Sequence, residues 1–343
     1  MARELSSFVI DQSYAMKATV DKEKLDCDAL LTRYMEVYLV QSEADDAKQV
    51  FGEQLNAGSK YVEDVNYIGP DYVERVSGVK GAKAGITMTA LQLWPYKFVT
   101  TLLSRLLERT SINVQTHTPV TSISASEDGK SAVNTPRGSI QAKKVVFATN
   151  GYTVGIAPKF AKKIVPWKIT CSHISTLTDT AHQPPHLNHT YGLNFADGSR
   201  DYLIPRPDGG VICGGASNSY IDDRKSWEYN WDDSTLHESA PPHFETVMQN
   251  NFRGWEDSGA AVDYLWTGII GHTADGLPHC GKIPGQENHF ILAGYNGGGM
   301  AMIFLTAKGI AKMIREDVPF EESGIPSFFK TTEERLKKDA FPA

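Results

Sequence analysis

A chain of 343 residues with 41% hydrophobic and 22% charged side chains has the length of two domains and an ordinary globular composition. Its formal charge of -7 excludes an extended basic surface for nucleic acid, and no apolar run approaches the ~18 residues that would suggest a membrane span. Four scattered cysteines without metal or redox spacing predict free, buried thiols in a reducing, cytoplasmic compartment.

Helix and strand patterns alternate through the first third of the chain. Residues 35–40 alternate apolar and polar side chains as in a strand, and residues 42–56 follow with the spacing of an amphipathic helix. A second helix is predicted over residues 95–108, because apolar side chains recur at helical spacing after the first-turn Pro95. This alternation favours an α/β fold.

A β-rich stretch follows the second helix. Short strands are predicted at residues 112–116, 120–126, 132–135 and 139–142. Residues 145–148 are wholly apolar, which is typical of a buried parallel strand, and they lead into a polar turn that ends at Gly151.

The second half of the chain ends in a glycine run. Residues 202–215 predict a hairpin around an Asp-Gly turn, and residues 266–281 are predicted to be rich in turns. The glycine run at residues 294–300 stands between the apolar residues 290–292 and a helical pattern over residues 301–315. Free N–H groups and the dipole at such a helix start attract an anion, so this run is the first candidate for a ligand site.

Four segments in this order resemble one protein family: residues 116–123, 144–151, 266–281 and 294–300. They resemble FAD-dependent oxidoreductases of the D-amino-acid-oxidase type, the DAO family, which also includes glycine and sarcosine oxidases. The resemblance implies an α/β fold. It consists of a three-layer FAD/NAD(P)-binding domain of the glutathione-reductase-like kind, here incomplete, joined to a mixed-sheet substrate domain.

By the same resemblance, both domains are discontinuous. The partial FAD-binding-type domain is expected in residues 1–24, 85–155 and 266–330, the substrate domain in residues 25–84 and 156–265, and a C-terminal tail in residues 331–343. Family members carry G-x-G-x-x-G after an early strand. This sequence lacks that motif, so we expect the chain to be truncated at its N-terminus. An incomplete sheet exposes an edge, which predicts possible self-association.

The resemblance implies FAD as the cofactor and assigns contacts to it. Val120 matches the family residue whose backbone meets the adenine end of FAD, and the polar turn after residue 148 matches a turn near the cofactor. The glycine run matches the loop against the flavin ring and ribityl chain. The implied cofactor-binding residues are Val120, Thr149, Asn150, Gly151, Gly294, Asn296, Gly297, Gly298, Gly299 and Met300.

Candidate catalytic residues are Tyr202, Arg206, His272 and Tyr96, which are predicted to line a pocket for a small amine or amino acid. Arg206 offers a two-pronged carboxylate clamp. The implied reaction oxidises a C–N bond, with hydride transfer to flavin and then to oxygen. Two alternatives stay open. One is a flavin-free isomerase or cyclase that reuses the pocket with a histidine or tyrosine as acid or base, and the other is an inactive fragment of a longer oxidase.

A histidine cluster was the remaining candidate for a metal site. His182, His186 and His189 have ligand chemistry that suits zinc. Pro184 and Pro185 lie between two of them and exclude a shared helix face, so no metal is expected.

Overall fold

The computed structural model describes residues 1–125, 129–176 and 183–339. Its helices are α1 (Ala2–Glu23), α2 (Gln41–Asn56), α3 (Pro70–Ser77), α4 (Pro95–Arg109), α5 (Arg224–Trp227), α6 (Pro241–Asn251) and α7 (Ile303–Glu316). Its strands are β1 (Leu30–Tyr38), β2 (Asn66–Ile68), β3 (Ala84–Gln92), β4 (Ser122–Ala125), β5 (Ser131–Thr135), β6 (Gly138–Ala142), β7 (Val145–Phe147), β8 (Ile164–Ser175), β9 (His189–Asn194), β10 (Arg200–Pro205), β11 (Val211–Gly215), β12 (Ala261–Thr273), β13 (His279–Ile283) and β14 (Gln286–Ala293). The two helices predicted in the first third of the chain are confirmed as α2 and α4, and the predicted hairpin is confirmed as β10–β11.

The largest sheet joins strands in the order β12-β8-β11-β10-β9-β1-β3-β2. Its neighbouring pairs are antiparallel except β1 and β9, which run parallel. Residues that face each other on adjacent strands form rows, and each row lies on one face of the sheet. One such row crosses the sheet from β12 to β1 through Trp266, Cys171, Gly214, Tyr202, Gly192 and Glu36.

The two faces of this sheet differ in how far they are covered. One face packs against α3 and α6 and builds the main core, in which Leu203 and Phe244 are fully buried. The other face carries the row that ends at Glu36 and is only partly covered, since Tyr202 on it exposes 39% of its surface. We call this second face the open face. The alternation of side chains along each strand thus separates a stabilising face from one that a ligand can reach.

A smaller sheet carries β13, β14 and β7 in that order, and a third consists of the meander β4-β5-β6. Phe8 of α1, Phe290 of β14 and Ile310 of α7 share one buried cluster beside the smaller sheet. The parallel pairing predicted for residues 145–148 is confirmed, because β7 runs parallel to β14. Their predicted burial is wrong at Val146, which exposes 41% of its surface because β7 is the edge strand of the described sheet.

Two predictions of local structure are wrong. Residues 112–116 are irregular, because no strand in the described ranges pairs with them, and Ile112 is 47% exposed. The segment after residue 266, predicted to be rich in turns, continues as β12 as far as Thr273. Its unbroken pairing with β8 over this segment outweighs the weak strand propensity of its glycines.

Several expectations concern properties beyond the fold. The four cysteines are free and buried, as predicted. No helix in the described ranges is long and apolar enough to cross a membrane, and no group of acidic, histidine or cysteine side chains there is arranged to hold a metal. The domain boundaries, self-association and the cytoplasmic location stay predictions. His182, residue 126 of a predicted strand and residues 340–343 of the predicted tail lie outside the described residues.

Candidate functional site

Asn150 connects the end of β7 to the glycine run. It begins a 3-10 helix, Asn150–Gly155, with a φ of 41°, a left-handed conformation that asparagine tolerates better than most residues. Its side-chain Oδ1 accepts hydrogen bonds from the backbone N–H of Gly294 at 2.9 Å and of Tyr295 at 3.3 Å. One short polar side chain therefore fixes the start of the glycine run to a turn that lies far away in the sequence.

Asn296 connects the same run to the end of β12. Its Oδ1 accepts a hydrogen bond from the N–H of Thr273 at 2.8 Å, and its Nδ2 donates to the carbonyl of Gly294 at 2.7 Å. Its own N–H donates to the carbonyl of Gly271 at 2.9 Å. We call Asn150 and Asn296, with these backbone partners, the asparagine clasp. The clasp holds three segments of chain in one place through a connected set of part-buried hydrogen bonds.

The clasp leaves no room for side chains at its centre. Gly294 has a φ of +77°, and a Cβ atom on it would lie 2.5 Å from the Cγ2 atom of Thr273. A Cβ atom on Gly151 would lie 3.0 Å from the carbonyl oxygen of Ile270. Residue 294 must be glycine because its φ is positive and because a side chain would clash with Thr273. At Gly151, the absence of a side chain lets its backbone approach that of Ile270.

Several backbone N–H groups of the glycine run, residues 294–300, have no hydrogen-bond acceptor in the described part of the chain. We call these residues the glycine loop. The N–H groups of Gly297, Gly299 and Met300 donate to no acceptor in the described part of the chain, whereas that of Gly298 donates to Tyr295. These donors lie at the start of a short 3-10 helix, Gly299–Ala301, which leads into α7. The arrangement suits an electron-rich acceptor edge of a ligand.

Gln12 of α1 supports this loop from the protein side. Its side chain is 1% exposed, its Nε2 donates to the carbonyl of Met300 at 2.9 Å, and its Oε1 accepts from the N–H of Leu305 at 2.8 Å. Gln12 thereby satisfies one of the free N–H groups in the first turn of α7. Gln12 was not predicted as a site residue, although a glutamine among the apolar side chains near the N-terminus was a signal for it.

The end of β12 brings the glycine loop next to the open face. The Cδ1 atom of Ile270 lies 3.8 Å from the position of a Cβ atom on Gly297, and Ile270 pairs with Trp167 of β8. His272 stacks on the Trp167 ring at 3.7 Å between centroids, and its Nε2 is buried without a hydrogen-bond partner among the described residues. Burial lowers the pKa of His272 to about 4, so its imidazole is neutral near pH 7.

The family of this chain follows from its sequence as a whole. Residues 3–313 match the family described as FAD dependent oxidoreductase (DAO). The chain belongs to this family. The membership confirms the resemblance carried by the four segments, three of which form the clasp and the glycine loop. Among curated proteins, none matches the sequence significantly.

Solved structures of similar fold agree with this membership. Glycine oxidase from Geobacillus kaustophilus is 16% identical, with a TM-score of 0.76 over 95% of this chain and 82% of that chain. L-proline dehydrogenase from P. horikoshii is 16% identical, with a TM-score of 0.72 over 91% of this chain and 79% of that chain. Iminodiacetate oxidase from Chelativorans sp. BNC1 is 11% identical, with a TM-score of 0.70 over 92% and 82%. These likenesses confirm the predicted fold class.

The predicted cofactor residues of this family member fall into two groups. The clasp and the glycine loop bring together all of them except Val120 and Thr149. Thr149 directly precedes Asn150, and its hydroxyl forms a hydrogen bond with that of Thr153 at 2.9 Å. Val120 is half-buried in the irregular segment before β4. The structure thus gathers the residues predicted for the flavin end of the cofactor.

The predicted catalytic residues are more dispersed. Tyr202 lies on the open face with its hydroxyl 3.0 Å from the Sγ atom of Cys171, and its ring covers Gly214 so closely that a Cβ atom there would clash. Arg206 follows β10, where its guanidinium pairs with Asp208 at 3.0 Å and stacks on the ring of Trp94. Tyr96, in the first turn of α4, exposes 71% of its surface. Tyr202 and His272 therefore share the open face, whereas Tyr96 projects into solvent.

Proposed function

We propose that this protein binds FAD with its flavin end at the glycine loop and oxidises the C–N bond of a small amine or amino acid. The observation that carries the proposal is the set of unused N–H groups at Gly297, Gly299 and Met300, next to Ile270 on the open face. Membership of a family described as FAD dependent supports the choice of cofactor.

The residues present fit a flavin for a chemical reason. The flavin ring system carries carbonyl oxygens and ring nitrogens along one edge, and these accept hydrogen bonds. Three backbone N–H groups at the start of a helix offer donors together with partial positive charge. The small side chains of the loop allow a flat ring to approach the backbone. When bound, FAD supplies the two-electron acceptor that takes hydride from the carbon next to the substrate nitrogen.

The chain's own residues would bind and orient the substrate on the open face. The neutral imidazole of His272 adds no positive charge near the loop, so it does not repel an amine substrate. Tyr202 offers a hydroxyl that stays protonated, because burial raises its pKa. Arg206, predicted from the sequence as a carboxylate clamp, lies at the end of β10 with Asp208 as its acidic partner.

The net reaction balances with oxygen as the final acceptor. The amine loses two electrons and two protons to become an imine, and dioxygen gains them to become hydrogen peroxide. Water then hydrolyses the imine to a carbonyl compound and a smaller amine. The printed names of the similar structures, which include glycine oxidase and iminodiacetate oxidase, support a substrate with a C–N bond. They do not favour a flavin-free isomerase or cyclase.

The experiment is a titration of the purified protein with FAD, followed by the quenching of flavin fluorescence. We compare the wild type with Gly299→Ala and with the matched control Gly52→Ala. A Cβ atom on Gly299 meets only ordinary contacts, the nearest being the Cβ atom of Tyr295 at 3.6 Å, so the variant folds. Gly52 lies in α2, and a Cβ atom there meets nothing within 4 Å.

We expect wild type and Gly52→Ala to bind FAD with equal affinity. We expect Gly299→Ala to bind at least tenfold more weakly, since the new methyl group lies beside the unused donors. Equal affinity in all three proteins would move FAD away from the glycine loop, and absence of binding to the wild type would overturn the proposed cofactor.

A further inference from the structure

The open face carries very few charged side chains. In regular register on the described strands it has one basic residue, Arg200 of β10, and one acidic residue, Glu36 of β1. Asp263 lies in the bulge of β12 and pairs with His173 at 2.6 Å. The remaining positions of the face are apolar, aromatic or uncharged. Apart from Asp263 and its partner His173, the charge on the strands of this face is therefore concentrated in Arg200 and Glu36.

Arg200 and Glu36 are bound to each other. The Nη2 atom of Arg200 lies 2.5 Å from the Oε2 atom of Glu36, and it also lies 2.5 Å from the hydroxyl of Tyr34. That hydroxyl donates to the same carboxylate, and Asn194 donates to its other oxygen at 2.6 Å. The cluster lies over Gly192, next to Tyr202 in the row across the sheet. The carboxylate of Glu36 thus cancels the charge of Arg200 at close range.

The other arginine at the end of β10 is also paired. The guanidinium of Arg206 lies 3.0 Å from the Oδ2 atom of Asp208, and its flat face is covered by the ring of Trp94 at 4.5 Å. A substrate carboxylate is normally held by an arginine whose charge is uncompensated and whose fork is free. Both arginines of this strand region have an acidic partner of their own, so a second carboxylate would face like charge.

Aromatic rings occupy much of the remaining open face. Tyr202 and Trp266 belong to the row across the sheet, and Tyr264 stacks on Trp266 at 5.8 Å between centroids. Trp167 lies opposite Ile270, near the glycine loop. Aromatic faces attract ammonium groups and apolar substituents but offer nothing to a carboxylate. The surroundings of the row therefore match a cationic or neutral amine.

We propose that the substrate is an amine without a carboxylate on the oxidised carbon, and that Glu36 and Tyr34 mask Arg200 to enforce this selection. This inference rests on the proposed function, since it names the substrate class of that site. In this proposal Glu36, Tyr34 and Arg200 determine which substrates bind, and they do not contact the reacting atoms.

The first experiment measures binding and needs no turnover. Purified protein with FAD added is titrated with benzyltrimethylammonium and with benzoate, two ligands of similar size and opposite charge that cannot be oxidised as amines. Calorimetry gives both affinities. We expect the ammonium ligand to bind at least tenfold more tightly than benzoate. Equal affinities or tighter binding of benzoate would overturn the inference.

The second experiment releases Arg200. In Glu36→Gln the guanidinium loses its acidic partner, whereas the matched control Glu74→Gln breaks the pair with Arg253 on the opposite side of the sheet. We expect Glu36→Gln to bind benzoate at least fivefold more tightly than the wild type, and Glu74→Gln to bind it unchanged. An unchanged benzoate affinity in Glu36→Gln, with folding verified by circular dichroism, would contradict the masking of Arg200.

The third experiment separates this inference from the proposed function. Anaerobic flavin reduction is compared for N-methylbenzylamine and N-methylphenylglycine, which differ only by a carboxylate on the oxidised carbon. We expect the amine to be at least tenfold better in kcat/KM. Faster reduction by the amino acid would overturn the inference and leave the proposed function standing. Failure of both, with the ammonium ligand still preferred in binding, would overturn the proposed oxidation and leave only the preference of the open face for a cation.

Discussion

The asparagine clasp and the open face achieve specificity in opposite ways. In the clasp, half-buried side-chain amides fix backbone atoms, and the groups that the adjoining glycine loop offers to the proposed flavin are backbone N–H groups. On the open face, the backbone is a mostly antiparallel sheet, and the groups proposed to face a substrate are side chains such as Tyr202 and Arg200. The clasp depends on the close approach of backbone segments to one another, whereas the open face depends on which side chains its strands carry.

This difference predicts where the protein tolerates change. A substitution in the clasp leaves buried backbone groups without partners, which costs ~1–3 kcal/mol for each group. A substitution on the open face changes exposed or half-exposed side chains, where ion pairs contribute ~0–1 kcal/mol to stability. Cofactor binding is thus tied to folding, and substrate choice is free to vary with little effect on folding.

The largest effect is expected for Asn150→Ala. The variant removes the acceptor for the N–H groups of Gly294 and Tyr295 and places alanine at a φ of 41°. We expect the free energy of unfolding to fall by ~4 kcal/mol, from two unsatisfied donors and a strained backbone. Urea denaturation of this variant, compared with the exposed control Asn113→Ala, measures it. A loss as small as that of the control would show that the clasp does not fix the loop.

Gln12→Met tests the clasp region from the side of α1. Methionine fills a similar volume but cannot satisfy the carbonyl of Met300 or the N–H of Leu305. We expect a loss of ~3 kcal/mol in the free energy of unfolding, and weaker FAD binding at temperatures where the protein stays folded. Gln12→Glu keeps the acceptor for Leu305 but buries a carboxyl group beside the carbonyl of Met300, so we expect it to lose at least as much. A loss no larger than that of Asn113→Ala in either variant would contradict the supporting role of Gln12.

His272 gives the border between the two regions a pH dependence. The unfolded imidazole binds a proton below its ordinary pKa of 6.5, whereas burial keeps the folded one neutral down to about pH 4. The unfolded state therefore gains protons over this interval, and stability is lost as the pH falls through it. We expect His272→Phe to lose ~2 kcal/mol less than the wild type between pH 6.5 and 4. Parallel stability curves for the two proteins would contradict the lowered pKa.

The smallest effect is expected for Arg206→Met. The pair with Asp208 lies in a turn where the carboxylate side chain is 54% exposed, so solvent screens the interaction. We expect the free energy of unfolding to change by less than ~1 kcal/mol, measured by urea denaturation. A loss as large as that of Asn150→Ala would remove the contrast between the two regions.

The two regions also differ in how far the sequence predicts them. Asn150, Asn296 and the glycine loop were predicted from the family resemblance, which was visible because these residues stand together in short motifs. Gln12 and the pair of Glu36 with Arg200 were not predicted. Their partners lie more than a hundred residues away, so only the sheet register and the packing of α1 bring them together. The exposure of Val146 on the edge strand β7 was missed for a similar reason, since an apolar run does not reveal which strands flank it.

The most direct test of the account is anaerobic mixing of the FAD-loaded protein with N-methylbenzylamine in a stopped-flow instrument. We expect the visible absorbance of oxidised flavin to disappear on mixing and to return when oxygen is admitted. One molecule of hydrogen peroxide should form for each flavin that is reoxidised. If the bound flavin stayed oxidised with this amine and with N-methylphenylglycine, the assignment of C–N oxidation to this site would be contradicted.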